Sequence, residues 1–139
     1  MKDLEEISGD VIDLALRLHR QPGPGLLESV YETILAGKLT QIGYRVTRQQ
    51  PIDMHYDGLY FQAAFRIDLL IEDRLLVEIK SVDQLNVAHT KQVLTYLRLL
   101  KQPVGLLLNF GAATLKEGIK RVVNDYQPSA SPRLRVNQS

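Results

Sequence analysis

The chain of 139 residues contains no cysteine. That excludes disulfides, thiol nucleophiles and cysteine-based zinc sites; cysteine usage leaves the compartment open, with the cytoplasm as the default expectation. No apolar run is long enough to span a bilayer, and the N-terminal segment is acidic and amphipathic, so neither a membrane span nor a signal peptide is expected. Neither sign of charge is in excess: 17 Lys and Arg face 16 Asp and Glu, a net +1. Such a balance neither supports nor forbids nucleic-acid binding, for which a local basic groove would suffice. There is no internal repeat. His19 and His55 have no partner at metal-ligand spacing, which argues against zinc. With 45% hydrophobic and 24% charged residues, the composition is that of one soluble domain with a real core.

Leu4, Ile7, Val11, Leu14, Ala15 and Leu18 recur at helical spacing and predict an amphipathic helix over the first twenty residues. Gln21-Pro-Gly-Pro-Gly25 breaks it. A second helix follows, with Leu27, Val30, Tyr31, Ile34 and Leu35 as its apolar side, up to Gly43. Extended segments are expected at Tyr44–Gln49, Ile52–Tyr56 and Leu59–Phe65, the last two joined by the turn pair Asp57-Gly58. A third helix is predicted from about Val87 to Leu100, then a buried strand Pro103–Leu108, a turn at Asn109-Phe110-Gly111 and a last helix from Leu115 to Val123. Domain 1–126 is therefore one α/β unit with a mixed sheet; residues 127–139, rich in Pro, Ser, Asn and Arg, read as a disordered tail.

The segment Phe65–Lys80 carries the chemistry. It reads as two apolar strands around the turn Glu72-Asp73-Arg74, with Asp68, Glu78 and Lys80 embedded in them. Side chains alternate along a strand. A three-residue loop sets Ile71 against Leu75, Leu69 against Val77 and Ile67 against Ile79, and brings Asp68 opposite Glu78. A two-residue loop would slip the register and break the apolar face. Charges in an apolar strand cost several kcal/mol unless paired or metal-bound. Two facing carboxylates suit a hard divalent cation, Mg2+ or Mn2+. Lys80 falls on the same side as Glu78, placed to orient water or stabilise charge on a phosphate. The alternative is a surface hairpin with an Asp68–Lys80 or Arg66–Glu78 salt bridge.

Several motifs then agree in order: Pro22-Gly-Pro-Gly-Leu-Leu-Glu28-Ser-Val-Tyr31, Phe65-Arg-Ile-Asp68, Val77-Glu-Ile-Lys-Ser81, His89-Thr-Lys-Gln92 with Tyr96-Leu97, and Gly105-Leu-Leu-Leu-Asn-Phe-Gly111. From roughly Ile7 to Val123 the chain resembles the GxxExxY protein family, placed in the PD-(D/E)XK nuclease superfamily. The resemblance implies a restriction-endonuclease-like fold, a mixed central sheet flanked by helices, and a divalent-metal-dependent nuclease. Asp68 and Glu78 would be metal ligands, Lys80 the catalytic lysine, and Glu28 a helix carboxylate brought to the metal. Gln92 and Tyr96 match polar positions on the helix after the E-x-K strand, and Tyr31 joins them as a supporting or substrate-contacting residue. Ile67 stands where the superfamily's name places proline. DNA is favoured over RNA as substrate, and a homodimer is an option for cutting both strands.

Some of these residues have plainer readings. A first-turn glutamate such as Glu28 supports the helix dipole by less than about 1 kcal/mol. Tyr31 also fits a core aromatic with its hydroxyl at the edge. His89, Gln92 and Tyr96 share a helix face that either meets the site or is a partly exposed edge. Gly23-Pro-Gly25 fails as a phosphate loop because no strand precedes it. Arg45, Arg48, Lys91, Arg98, Lys101, Lys116, Lys120 and Arg121 are solvated faces or parts of a phosphate-tracking groove; Arg133 and Arg135 lie in the tail. The other functional classes are a non-catalytic binding module that retains the fold, and a hydrolase of small phosphate esters.

Overall fold

The computed structural model describes residues 2–125; the expected tail, 127–139, lies outside them. The elements run α1 (Leu4–Arg20), α2 (Glu28–Gln41), β1 (Val46–Tyr56), β2 (Leu59–Ile71), β3 (Leu75–Lys80), α3 (Val87–Leu100), β4 (Val104–Asn109), α4 (Leu115–Gly118) and β5 (Ile119–Val123). The sheet order is β1-β2-β3-β4-β5, with β3 and β4 parallel and the other neighbours antiparallel. A parallel pair needs a long crossover, and α3 provides it. The α/β class with a mixed sheet is as expected.

The apolar stripes decide which helix covers which face. Leu75, Val77 and Ile79 of β3 join Ile7, Val11, Tyr31 and Leu35 of α1 and α2 in one core. Leu76 and Leu107 join Val93, Tyr96 and Leu97 of α3 in the other. By alternation Glu78 and Lys80 belong to the α3 side. Helix α1 starts on Asp3, whose side chain accepts the Glu6 N–H at 2.9 Å. Helix α3 starts on a capping box in which Asn86 Oδ1 accepts the His89 N–H and His89 Nδ1 accepts the Asn86 N–H, both at 3.1 Å.

Two expectations are corrected. The segments at Tyr44–Gln49 and Ile52–Tyr56 form one continuous strand: β1 lies at the sheet edge, where Pro51 is tolerated. The last expected helix stops after Gly118, and Ile119–Val123 pairs with β4 instead, Val122 opposite Gly105.

Candidate active site

The hairpin of β2 and β3 pairs as expected at Leu69–Val77, Leu70–Leu76 and Ile71–Leu75. Glu72 and Asp73 turn the chain with φ of 55° each. Beyond Leu69–Val77 the ladder stops, and the carboxylates replace it. Glu78 Oε2 accepts the Asp68 N–H at 2.8 Å, and Asp68 Oδ2 accepts the Ile79 N–H at 2.8 Å. Asp68 and Glu78 are thus brought together. The expected Ile67–Ile79 pair does not form: Ile67 packs on the α3 side and Ile79 on the opposite side. Reciprocal side-chain bonds have taken the place of backbone ones, and strict alternation is lost there.

Glu78 is 4% exposed, whereas Asp68 and Lys80 are half-buried. Burial, reinforced by the Asp68 charge, pushes the Glu78 carboxyl up to about 8; the Asp68 N–H and the Lys80 charge oppose the shift. Tyr96, 8% exposed, stacks on Phe65 with centroids 4.2 Å apart. Its hydroxyl is raised by burial and then by the charges of Glu78 and Asp68. Neither salt bridge of the surface-hairpin alternative forms, and Lys80 Nζ has no ion pair or hydrogen bond with any described residue. Gln92 is exposed on the same helix, while the His89 ring is occupied in the α3 cap.

The donor set fits a hard divalent cation. Two carboxylates converge, one of them buried. Mg2+ is commonly held by one or two carboxylates, with water and phosphate oxygens completing the shell. Among the described residues no cluster of three or more His, Cys, Asp or Glu side chains is assembled for a metal. Glu28, the expected third acid, is placed elsewhere: its Oε2 accepts the Ser81 N–H at 3.0 Å, and Ser81 Oγ donates to the Leu26 carbonyl at 3.2 Å. A cleft of about 880 Å³ opens there, lined by Gly25, Glu28, Ser29, Ser81, Asp83 and Gly111 among others, without Asp68 or Glu78. Tyr31 is buried structure. Its hydroxyl donates to the Gly23 carbonyl at 2.5 Å and accepts the Leu26 N–H at 3.2 Å, and its ring stacks on Phe110. Glu28 and Tyr31 thus fasten the α1–α2 connection to the chain just past Lys80.

Residues 5–122 match the family model described as the PD-(D/E)XK nuclease superfamily. The chain belongs to the PD-(D/E)XK nuclease superfamily. The crystal structure of SSO0001 is similar, with a TM-score of 0.52 and 16% identity over 80% of this chain. This chain covers 57% of SSO0001, so the likeness speaks for the fold. No curated protein matches the chain. As a superfamily member the chain has a nuclease scaffold, and no helix among the described residues is long and apolar enough to cross a membrane.

Sequence reading missed two residues of this nuclease-like site. Glu32 is buried on α2 and holds Arg48 at 3.0 Å. Gln49 Nε2 donates to Glu32 Oε1 at 2.6 Å and to Asp68 Oδ1 at 3.2 Å. A signal for Glu32 existed, since it flanks the buried stripe Tyr31, Leu35 and Leu39; none marked Gln49. Three candidate phosphate contacts are already in ion pairs, Arg45 with Asp73, Arg48 with Glu32 and Arg121 with Glu5.

Proposed function

We propose that this chain is a divalent-metal-dependent nuclease of the GxxExxY type that hydrolyses phosphodiester bonds of nucleic acid, DNA in preference to RNA. The observation that carries this reading is the buried Glu78 held against Asp68, with the unpaired Lys80 on the same strand face. Two repelling acids in a sheet are costly and gain a purpose when they share a cation.

In this reading Asp68 and Glu78 hold Mg2+ or Mn2+, which supplies, when bound, Lewis-acid charge neutralisation and a more acidic water. Lys80 contributes a positive charge toward the phosphate as negative charge builds in the transition state. Tyr96 closes the apolar side of the acid pair, and its hydroxyl and Gln92 are the polar groups α3 offers to substrate. Glu28 acts from the adjoining cleft by fixing Ser81, next to Lys80.

The test is cleavage of labelled single-stranded, duplex and branched DNA and RNA with Mg2+ or Mn2+, against Ca2+ or chelator, beside Glu78→Ala. Metal-dependent cutting that vanishes in the variant is expected. No cutting by folded protein would favour a non-catalytic nucleic-acid- or protein-binding module, a reading that draws on the convergence of two acids rather than three.

A further inference from the structure

Neighbouring residues of a regular strand point to opposite faces, yet Arg48 and Gln49 of β1 both reach Glu32. Arg48 Nε donates to Glu32 Oε2 at 3.1 Å, and Gln49 Nε2 donates to Glu32 Oε1 at 2.6 Å. The backbone explains it. Gln49 has φ of 52°, the left-handed region that favours glycine. Arg48 pairs with Leu69 and Gln50 with Ile67, which sets Gln49 opposite Asp68, though these two do not join the ladder. The kink re-aims one side chain without a shift of register.

The side chain so aimed has one destination besides Glu32. The second proton of Gln49 Nε2 goes to Asp68 Oδ1 at 3.2 Å. The amide can face only this way round: both neighbours are carboxylates, which accept and cannot donate when ionised. The other Asp68 oxygen is fixed by the Ile79 N–H. Glu32 is itself anchored, its charge balanced by Arg48, whose Nη2 also donates to Thr33 Oγ1 at 2.8 Å. A chain of fixed groups therefore runs from α2 to the acid pair.

We propose that Gln49, held by Glu32, is the positioning residue of Asp68, locking its carboxylate in the orientation in which it meets a divalent cation. This rests on the metal-nuclease reading and adds to it residues that touch neither substrate nor cation. Gln49 adopts a left-handed backbone that glycine would adopt more easily, and its amide bridges Glu32 and Asp68.

The decisive variant is Gln49→Gly, which keeps the left-handed backbone and deletes the amide. Glycine relieves the left-handed backbone and so offsets part of the cost of the two lost hydrogen bonds. The variant should remain folded, with a cooperative melt that checks it, so loss of fold cannot account for the result. Mn2+ binding, followed by electron paramagnetic resonance of free Mn2+, should weaken about 10- to 100-fold, the usual effect of removing a group that orients a ligand. Cleavage should show the same weakening in its metal dependence and recover toward the parent kcat at high Mn2+. Glu32→Gln, with a weaker hold on Gln49, should shift both in the same direction by less. If Asp68→Ala binds Mn2+ as tightly as the parent, or the parent binds none, the metal reading falls and takes this proposal with it. If binding depends on Asp68 yet Gln49→Gly matches the parent, the metal reading stands and the positioning role is overturned.

Discussion

Glu78 carries the clearest single-residue consequence. With chelator present, its carboxyl is held up to about 8 against an ordinary 4.5, by burial first and the Asp68 charge second. The folded protein therefore binds a proton there that the unfolded chain releases near its ordinary pKa. Stability is intact below about pH 4.5 and falls as pH rises through the window to about 8, by a few kcal/mol in all. The lowered Asp10 and Asp53 carboxyls act only at more acid pH. Urea midpoints taken from pH 5 to 8 in chelator should decline, and Glu78→Gln should flatten the decline. An unchanged slope in the variant would refute the account. Lys80→Ala tests the neighbouring charge. Lys80 has no described ion pair to lose, so stability should change by less than about 1 kcal/mol, while kcat falls by about 100-fold or more. Activity equal to the parent would remove Lys80 from the site. The approach of Asp68 to Glu78 was legible in the sequence because burial of Leu69, Ile71, Leu75 and Val77 dictates the register up to Leu69–Val77. Gln49 was not, because its left-handed kink breaks the alternation on which any such reading depends; Glu32 was marked only by its place beside the buried stripe of α2.

At the scale of elements, the turn after β4 holds the end of β3 in place. Phe110 N–H donates to the Lys80 carbonyl at 2.8 Å, and Asn109 Oδ1 accepts the N–H groups of Val82 and Gly111, both at 3.0 Å. Gly111 is required by crowding: a Cβ there would lie 2.3 Å from the Val82 carbonyl oxygen and 2.7 Å from its nitrogen. Gly111→Ala must push the chain after Lys80 outward, at a cost of about 1–3 kcal/mol. Metal-dependent cleavage should fall further than stability does, since Ser81 and Lys80 move with that segment. A variant with parental Tm and activity would show that the turn does not position the strand end. Helix α3 could be read from spacing alone, because its apolar residues fit one period and Lys101 in a left-handed conformation ends it. Strand β5 could not. Leu115, Ile119 and Val122 fit helical spacing equally well, and only the open edge of β4 decides for a strand, a tertiary influence that overrides local pattern. The expected separation of Tyr44–Gln49 from Ile52–Tyr56 failed for a related reason, since an edge strand loses little when the N–H of Pro51 is missing.

For the molecule as a whole, the same buried acid couples folding to pH, and in the proposed metal reading to cations as well. A divalent ion bound at Asp68 and Glu78 must displace the proton that Glu78 retains, so apparent affinity rises with pH until about 8 and then levels. A ligand that binds only the folded state stabilises it in proportion to the logarithm of its saturation. If Asp68 and Glu78 hold the cation as proposed, the metal-free chain weakens over this range while the metal-bound chain is spared, and the two stability curves diverge. Thermal melts at fixed Mg2+ or Mn2+ should therefore show a small rise in Tm near pH 6 and a larger one near pH 8. The difference should disappear in Asp68→Ala and be reduced in Glu78→Gln. An equal rise at both pH values would mean that the cation binds somewhere other than the acid pair. A rise that survives Asp68→Ala would mean the same, and the aspartate would then be only a structural partner of the Ile79 N–H and the Gln49 amide.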